Sequence, residues 1–378
     1  MSVWDDVVGQ SAAVAVLREA SQDVTAMTHA WLLTGPPGSG RSNAARAFAA
    51  ALQCEQAGCG HCQACTTSLA GTHADVRVIA TEKVTISIDE VRDLIGIAQR
   101  APSQGRWRVI VLEDADRMIE RTSNVLLKAI EEPPPRTVWL LCAPSPQDVA
   151  VTIRSRCRGV ALRIPPVADV AALLMARDGV DPLVADESAR AAQSHIGLAR
   201  RLARDPDARA RRARTLDLAA KIRGVGDAVL AAGALVEVAT AESKAATEDR
   251  DAAEKTALLH TLGAEGAQTL PPTVRAQVRQ LEEDQKRRAT RAQRDVLDRS
   301  LLDLLSLFRD VLVVQLGADV DLMNRAQDAD VRRLAGASTP EQTIRRMDAI
   351  GEARTRLAGN VAPLLAMEAM AVALRPQG

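Results

Sequence analysis

The chain reads as a doubly wound α/β domain followed by an all-helical second half, and three observations predict this. The stretch Gly35-Pro36-Pro37-Gly38-Ser39-Gly40-Arg41-Ser42 stands between an apolar run, Ala30 to Leu33, and an alanine-rich segment, Asn43 to Leu52. That is the strand, glycine loop and helix context of a phosphate-binding loop. Strand-like runs then alternate with helical patterns, as a parallel sheet covered by helices requires. Past Pro165-Pro166 the strand signals almost vanish.

Taken in order, the N-terminal stretch Trp4 to Gln10 leads into a helical pattern carrying Val14 and Leu17. Val76 to Ala80 reads as a strand, and Ile88 to Arg100 as a helix whose opening acids, Asp89 and Glu90, suit a helix N-terminus. Arg108 to Leu112 is a continuous apolar run, the mark of a strand buried on both faces, and it ends in Glu113-Asp114-Ala115-Asp116. Ser123 to Glu132 predicts a helix stopped by Pro133-Pro134-Pro135, and Thr137 to Cys142 the last buried strand. Val167 to Leu218 reads as about three short helices by its periodicity. A Gly/Pro break spans Gly263 to Pro272. Val274 to Leu316 then predicts one long helix with i,i+4 pairs Glu282–Lys286, Glu283–Arg287 and Asp284–Arg288. Leu297, Leu301, Leu304, Leu305, Phe308 and Leu312 form its apolar face.

The 378 residues suffice for two or three domains, and an apolar content of 47 % with 2 % aromatic residues and no tyrosine points to cores of Ala, Leu and Val. A formal net charge of zero excludes nucleic-acid or membrane binding driven by bulk charge, while leaving room for a local patch. No apolar run approaches the length of a membrane span, and the opening Met1 to Asp6 lacks a signal peptide's pattern. The expectation is a cytoplasmic chain without membrane partners.

Four of the six cysteines cluster as C-x4-C-x2-C-x2-C: Cys54, Cys59, Cys62 and Cys65. Thiolates at this spacing can enclose one tetrahedral zinc ion with no open position, a structural site; His61 and His73 are rival ligands, and reduced free thiols the alternative. Cys142 and Cys157 stand apart as small buried side chains. In the glycine loop, Gly35, Gly38, Ser39, Gly40 and Ser42 fit a phosphate cradle, with ATP or ADP and Mg²⁺ as its ligands. Arg41, however, stands where a compact lysine would meet the β/γ phosphates, and the arginine fork does not simply replace it. Retained loop geometry without turnover is the alternative. Glu113-Asp114 ends its strand where an aspartate for the Mg²⁺ shell and a glutamate for the attacking water are wanted, but in reversed order. A solvated strand end is the bland reading. Arg154-Ser155-Arg156-Cys157 is placed after the last strand, where an arginine can reach a neighbour's γ-phosphate or make an ordinary surface ion pair. Gly197-Leu198-Ala199-Arg200 opens a helix, so Arg200 can point back at a nucleotide. The run Arg200, Arg201, Arg204, Arg209, Arg211, Arg212 and Arg214 suits either DNA phosphates or a solvated helix face.

These pieces together resemble the bacterial clamp-loader AAA+ subunits. Asn124-Val-Leu-Leu-Lys-Ala-Ile-Glu-Glu-Pro-Pro134 is similar to that family's N-A-L-L-K-x-x-E-E-P-P signature, Trp4 to Gln10 to its opening, and His29 to Gly35 to the strand before its loop. The four cysteines resemble its zinc module, Ser155-Arg156-Cys157 its arginine-finger motif, and Asn360 to Glu368 its last collar helix. The resemblance implies three domains: an AAA+ P-loop domain with a four-cysteine zinc module (1–164), a small helical lid (165–222) and a helical collar for oligomerisation (223–378), whose long helix Val274 to Leu316 is expected to supply assembly contacts through its leucine face. It also implies partners: gamma/tau and delta subunits in a hetero-pentamer, and through the complex the sliding clamp and primer–template DNA. Arg41, the reversed Glu113-Asp114, and Ala143-Pro144 where active members carry a polar pair each weaken hydrolysis, whereas Ser155-Arg156-Cys157 is intact. That combination is expected of a subunit that lends Arg156 in trans to a neighbouring gamma/tau ATPase. The alternatives are a catalytically active gamma-type ATPase and a zinc-bearing interaction protein outside ATP chemistry.

Overall fold

The computed structural model describes residues 2–81, 85–264, 271–359 and 361–376. Asn360, the first residue of the motif likened to the last collar helix, and residues 265–270 of the expected Gly/Pro break lie outside them. The chain divides into two compact units, Met1–Arg204 and Asp205–Gly378.

The first unit runs α1 (Ser11–Gln22), β1 (Ala30–Thr34), α2 (Arg41–Gln53), α3 (Gln63–Leu69), β2 (Val76–Ile79), α4 (Ile88–Ala98), β3 (Arg108–Leu112), α5 (Glu120–Glu131), β4 (Thr137–Ala143), α6 (Val151–Arg154), β5 (Arg158–Ala161), α7 (Val167–Asp178), α8 (Pro182–Ala191) and α9 (Ile196–Arg204). The strands form one sheet in the order β2-β3-β4-β1-β5, and every pairing is parallel. The predicted class, a doubly wound parallel sheet followed by helices, is the class observed.

All residues of β1, β3 and β4 are buried. Alternate side chains serve opposite faces of the sheet. Trp31, Leu33, Val109, Val111, Val138 and Leu140 pack with Phe48 of α2; Leu32, Ile110, Leu112, Trp139 and Leu141 pack with Leu126 and Ile130 of α5. Burial on both faces is why these strands read as unbroken apolar runs. β5 is different: only Val160 of its four residues is buried, so Arg-Gly-Val-Ala carries no strand signal. Thr137–Cys142 is therefore not the last strand, and Arg154–Cys157 precedes β5 instead of following the sheet.

Local chemistry sets the element ends. Ser87 caps α4 in a reciprocal box with Glu90. α5 starts at Glu120, three residues ahead of expectation, and stops before the proline run. At the amino-terminal edge of the sheet, the fully buried Asp75 accepts hydrogen bonds from the N–H groups of Ser103 (2.8 Å), Gln104 (2.7 Å) and Gly105 (2.6 Å). It also pairs with Arg108 at 2.9 Å.

The second unit is helical: α10 (Pro206–Ala220), α11 (Val225–Thr261), α12 (Pro272–Leu316), α13 (Asp328–Gly336), α14 (Pro340–Ala358) and α15 (Pro363–Leu374). Four helices, α7 to α10, occupy the stretch expected to hold about three. The single long helix is confirmed as α12, but its leucine face is not an assembly surface. Leu297, Leu301, Leu304 and Phe308 close the unit's own core with Leu235, Ile350, Leu357 and Met367. The expected pairs along α12 also give way to a neighbouring helix. Glu282 binds Lys255 of α11 at 2.7 Å, Arg288 binds Asp251 of α11 at 3.1 Å, and Asp284 lies 3.8 Å from Arg287. A partner on an adjacent helix stays within reach in this geometry, while i,i+4 pairs in water gain only about 0.3–0.5 kcal/mol.

Asp75 generates a pH prediction. Burial raises its carboxyl pKa, but the hydrogen bonds from Ser103, Gln104 and Gly105 more than offset this and hold it at about 2, against 3.8 unperturbed. The depressed folded value makes its contribution, about 2 kcal/mol, fully present above pH ~4 and lost as pH falls toward 2. Urea midpoints measured from pH 5 to 2 should show this loss in the native chain and not in Asp75→Asn, whose midpoint is lower throughout; equal acid slopes would contradict it.

Candidate functional site

β1 lies inside the sheet between β4 and β5, so the glycine loop after it emerges at the carboxyl edge, the ligand-binding edge of such sheets. Gly38 and Gly40 both hold φ +87, a left-handed backbone that glycine adopts without penalty. The loop is packed tightly by its own chain. A Cβ on Gly35 would lie 2.5 Å from the Leu162 carbonyl oxygen, and one on Gly38 would lie 2.7 Å from the Cα of His195. The side chain of buried Gln10 donates to Ser39 O at 3.1 Å and to Arg163 O at 2.5 Å, and accepts from Arg163 N at 3.1 Å.

Arg41, at the first turn of α2, turns back on the loop and donates from Nη1 to the Gly35 carbonyl. Ser42 follows it in that turn, and the buried Ser39 hydroxyl has no hydrogen-bond partner. A nucleotide held here would meet the N–H groups around Gly38–Ser42 at the positive end of α2, with the Ser42 hydroxyl available to Mg²⁺. The donor chemistry fits, but the arginine that would meet the phosphates is spent on the loop itself.

The strand-end acids are likewise engaged. Glu113 accepts from Arg46 Nε of α2 at 2.7 Å, and Asp114 accepts from Thr81 N at 2.9 Å and lies 3.7 Å from Arg117. Burial pushes the Asp116 carboxyl above its usual range, with the Asp114 carboxylate adding to the push and Arg41 opposing it. Three acids and three arginines, Arg41, Arg46 and Arg117, thus converge at this edge. Arg200 of α9 binds Asp178 with its Nη2 at 2.9 Å; the α9 region meets the loop through His195 and Ile196 instead. The long arginine run is divided between intrachain acids: Arg204 lies 3.9 Å from Asp178, Arg211 3.1 Å from Asp205 and Arg212 2.7 Å from Asp303. This favours the structural reading of the run over a phosphate-binding one.

The four-cysteine cluster forms between α2 and α3. The Sγ atoms of Cys54, Cys59, Cys62 and Cys65 all lie within 4.8 Å of one another, and Cys54 is 3.7 Å from both Cys59 and Cys62. A tetrahedral ion at about 2.3 Å from each sulfur requires separations of about 3.8 Å, so the four thiols can hold a metal. Backbone N–H groups reach the sulfurs: Cys59 N to Cys54 at 3.5 Å, Cys62 N to Cys59 at 3.4 Å and Cys65 N to Cys62 at 3.4 Å. Burial works against the Cys54 thiolate, but N–H groups of Cys59, Gly58 and Gln56 outweigh it and bring its pKa to about 6; at Cys65 burial dominates and pushes the thiol up. The histidines stay outside the cluster: His61 Nδ1 contacts Cys59 O at 3.1 Å, and His73 Nδ1 accepts from Asp75 N at 3.0 Å.

Arg156 sits between α6 and β5, 39 % exposed, in an ion pair of 2.5 Å with Glu131 at the end of α5. Its Nη1 also donates to Thr152 O at 2.8 Å. A guanidinium near the surface and held by one exposed carboxylate is available for exchange of partners, since such pairs are weak. An open pocket of about 720 Å³ adjoins Gln10 and is bordered also by Val7, Gly9, Arg163, Pro166 and Asp169.

Gln10, Arg46, Asp116, Glu131 and His195 were not singled out from the sequence. Asp116 was visible in the acidic strand end, and His195 two residues before Gly197 was a weak signal; the rest act across long chain separations.

Sheet, glycine loop, strand-end acids and the four-cysteine cluster together define a P-loop-type α/β protein with four thiols placed so that they could hold a metal. Residues 9–166 match the family described as DNA polymerase III, delta subunit. Over 146 residues the chain is 40 % identical to DNA polymerase III subunit delta' of Pseudomonas aeruginosa, covering 37 % of this chain and 44 % of that protein. Over 174 residues it is 33 % identical to the gamma/tau subunit of Mycobacterium bovis, covering 45 % of this chain and 30 % of that protein. The chain thus spans less than half the length of these relatives. A gamma subunit-related protein of Thermotoga maritima aligns over 96 % of this chain and 98 % of its own with a TM-score of 0.44 and 14 % identity. Over residues 9–166 the chain is thus similar to the clamp-loader subunits of DNA polymerase III.

The Gly38–His195 contact makes a prediction. Gly38→Ala adds a Cβ in a left-handed backbone against His195, which should lower stability by about 1–3 kcal/mol. The double variant Gly38→Ala/His195→Gly should recover part of that loss in urea unfolding; a neutral Gly38→Ala would show that the contact is not close.

Proposed function

We propose that this chain fills the delta-prime role in a DNA polymerase III clamp loader. It supports loading of the sliding clamp onto primer–template DNA and lends Arg156 in trans to ATP bound by a neighbouring gamma/tau subunit. The observation that carries this reading is a contrast within one unit. Arg156 is half-exposed on a single surface carboxylate, whereas Arg41, Glu113 and Asp114 are all tied into their own chain. Charge that must appear on a neighbour's γ-phosphate is stabilised best by an arginine already at the surface. The chain's own loop either stays empty or holds ATP or ADP with Mg²⁺ without turnover.

The division into an AAA+ domain (1–164), lid (165–222) and collar (223–378) belongs to this proposal, as do the gamma/tau and delta partners. Because the leucine face of α12 is consumed internally, assembly would use the apolar residues that the helices leave outside. Leu230, Ile344 and Leu365 are 75 %, 47 % and 61 % exposed. Zinc is the metal that best suits four thiols at this spacing, in a closed structural role that crosslinks the end of α2 to the start of α3. Among the described residues no helix is long and apolar enough to cross a membrane.

Two measurements follow. In a complex reconstituted with gamma/tau and delta, Arg156→Ala should leave assembly intact and abolish DNA-stimulated hydrolysis at the site it serves, where a finger contributes about 10³–10⁵-fold. Unchanged hydrolysis would sink the finger role. Metal analysis of the purified chain should find one equivalent of zinc, released by a chelator and lost in Cys62→Ser with a lower melting temperature. A metal-free native chain with four freely titrating thiols would contradict the zinc assignment.

A further inference from the structure

Among the described residues, the second unit buries a cation without an ion-pair partner. Arg346, in the second turn of α14, is 5 % exposed. Its guanidinium carbon stands 5.8 Å from the ring centre of Phe308 on α12. Among the described residues no carboxylate, carbonyl or hydroxyl accepts from it, and its Nη1 is buried without a partner. One turn earlier, on the same face of α14, the fully buried Thr343 hydroxyl is also without a partner.

Arg346 reaches α12 through Phe308, and α12 runs antiparallel to α14. Gln315 of α12 donates to Ser338 O just before α14 at 2.7 Å, and Asp298 near the other end accepts from Arg354 Nε at 2.6 Å. Thr343 and Arg346 fall between these two ties.

A buried guanidinium without a partner costs several kcal/mol. Burial does lower the Arg346 pKa, but arginine stays protonated in proteins. The aromatic face of Phe308 offsets part of the cost, and a water molecule could satisfy the hydrogen bonds but not the charge. Two buried donors, one of them charged, thus stand on one face of α14 without an acceptor among the described residues.

We propose that Thr343 and Arg346 hold a small monovalent anion of chloride size, taken from solution, which pins α14 to α12. The deep burial of both residues selects a small ion over phosphate-sized groups. The ion completes the charge of Arg346 and accepts from both side chains, so it acts as a structural strut of this unit and takes no part in ATP chemistry.

The test is ³⁵Cl NMR on the full chain. Titration with chloride should show protein-dependent line broadening that saturates and is displaced by bromide. Arg346→Met should remove that saturable component. Thr343→Val, which keeps the volume, should weaken chloride by about fivefold, the effect of one neutral hydrogen bond, and keeps the test valid should Arg346→Met not fold. Crystals soaked in bromide should place an anomalous peak within about 3.5 Å of Arg346 Nη1 and Thr343 Oγ1. Identical broadening in the native chain and both variants, with no bromide peak there, would overturn the proposal.

Discussion

The carboxyl edge of the sheet depends on how closely the glycine loop is packed against its own chain. Gly35 is pressed onto the Leu162 carbonyl and Gly38 onto His195, and Gln10 stitches the loop backbone to Arg163, just past β5. A loop that needs glycine for these reasons keeps the outline of a phosphate cradle whether or not a phosphate is present. Arg41 completes the closure. A lysine at that position has no planar fork to lay across a carbonyl, whereas the guanidinium donates to Gly35 and removes its charge from the mouth of the loop.

That closure propagates outward. Arg46, further along α2, takes up Glu113, so that acid is drawn to the helix, while Asp114 turns to Thr81 and Arg117. The result is a site in which Arg41, Glu113 and Asp114 are tied into their own chain, while the buried Ser39 hydroxyl has no partner. Reactive sites are usually the reverse, with charges held ready for a substrate. Arg156, by contrast, rests on Glu131 at the surface, which suits the role proposed for it. The two features support one division of labour, in which the loop stabilises its own domain and the arginine serves another chain's nucleotide.

The sequence was legible where structure is local or doubly buried. β1, β3 and β4 announce themselves because both faces are covered and no polar residue interrupts them. The cysteine cluster is equally plain, since the ligands that converge are a few residues apart. β5 was missed because an edge strand with one buried side chain has no periodic signal. The polar partners were also missed. Glu113 and Arg46 are 67 residues apart in sequence, and Arg200 and Asp178 are 22 apart, distances over which spacing carries no information. The long helix α12 shows both sides: its extent was evident from periodicity, yet the partners of its leucines and glutamates were set by α11 and α14, which only the fold brings alongside.

The central claim is that this chain's own loop does not turn over ATP. Steady-state hydrolysis by the purified, isolated chain with Mg²⁺ tests it most directly. The account requires no turnover above background, whereas a rate near one per second, in the ordinary range of working enzymes, would identify an autonomous motor and contradict it.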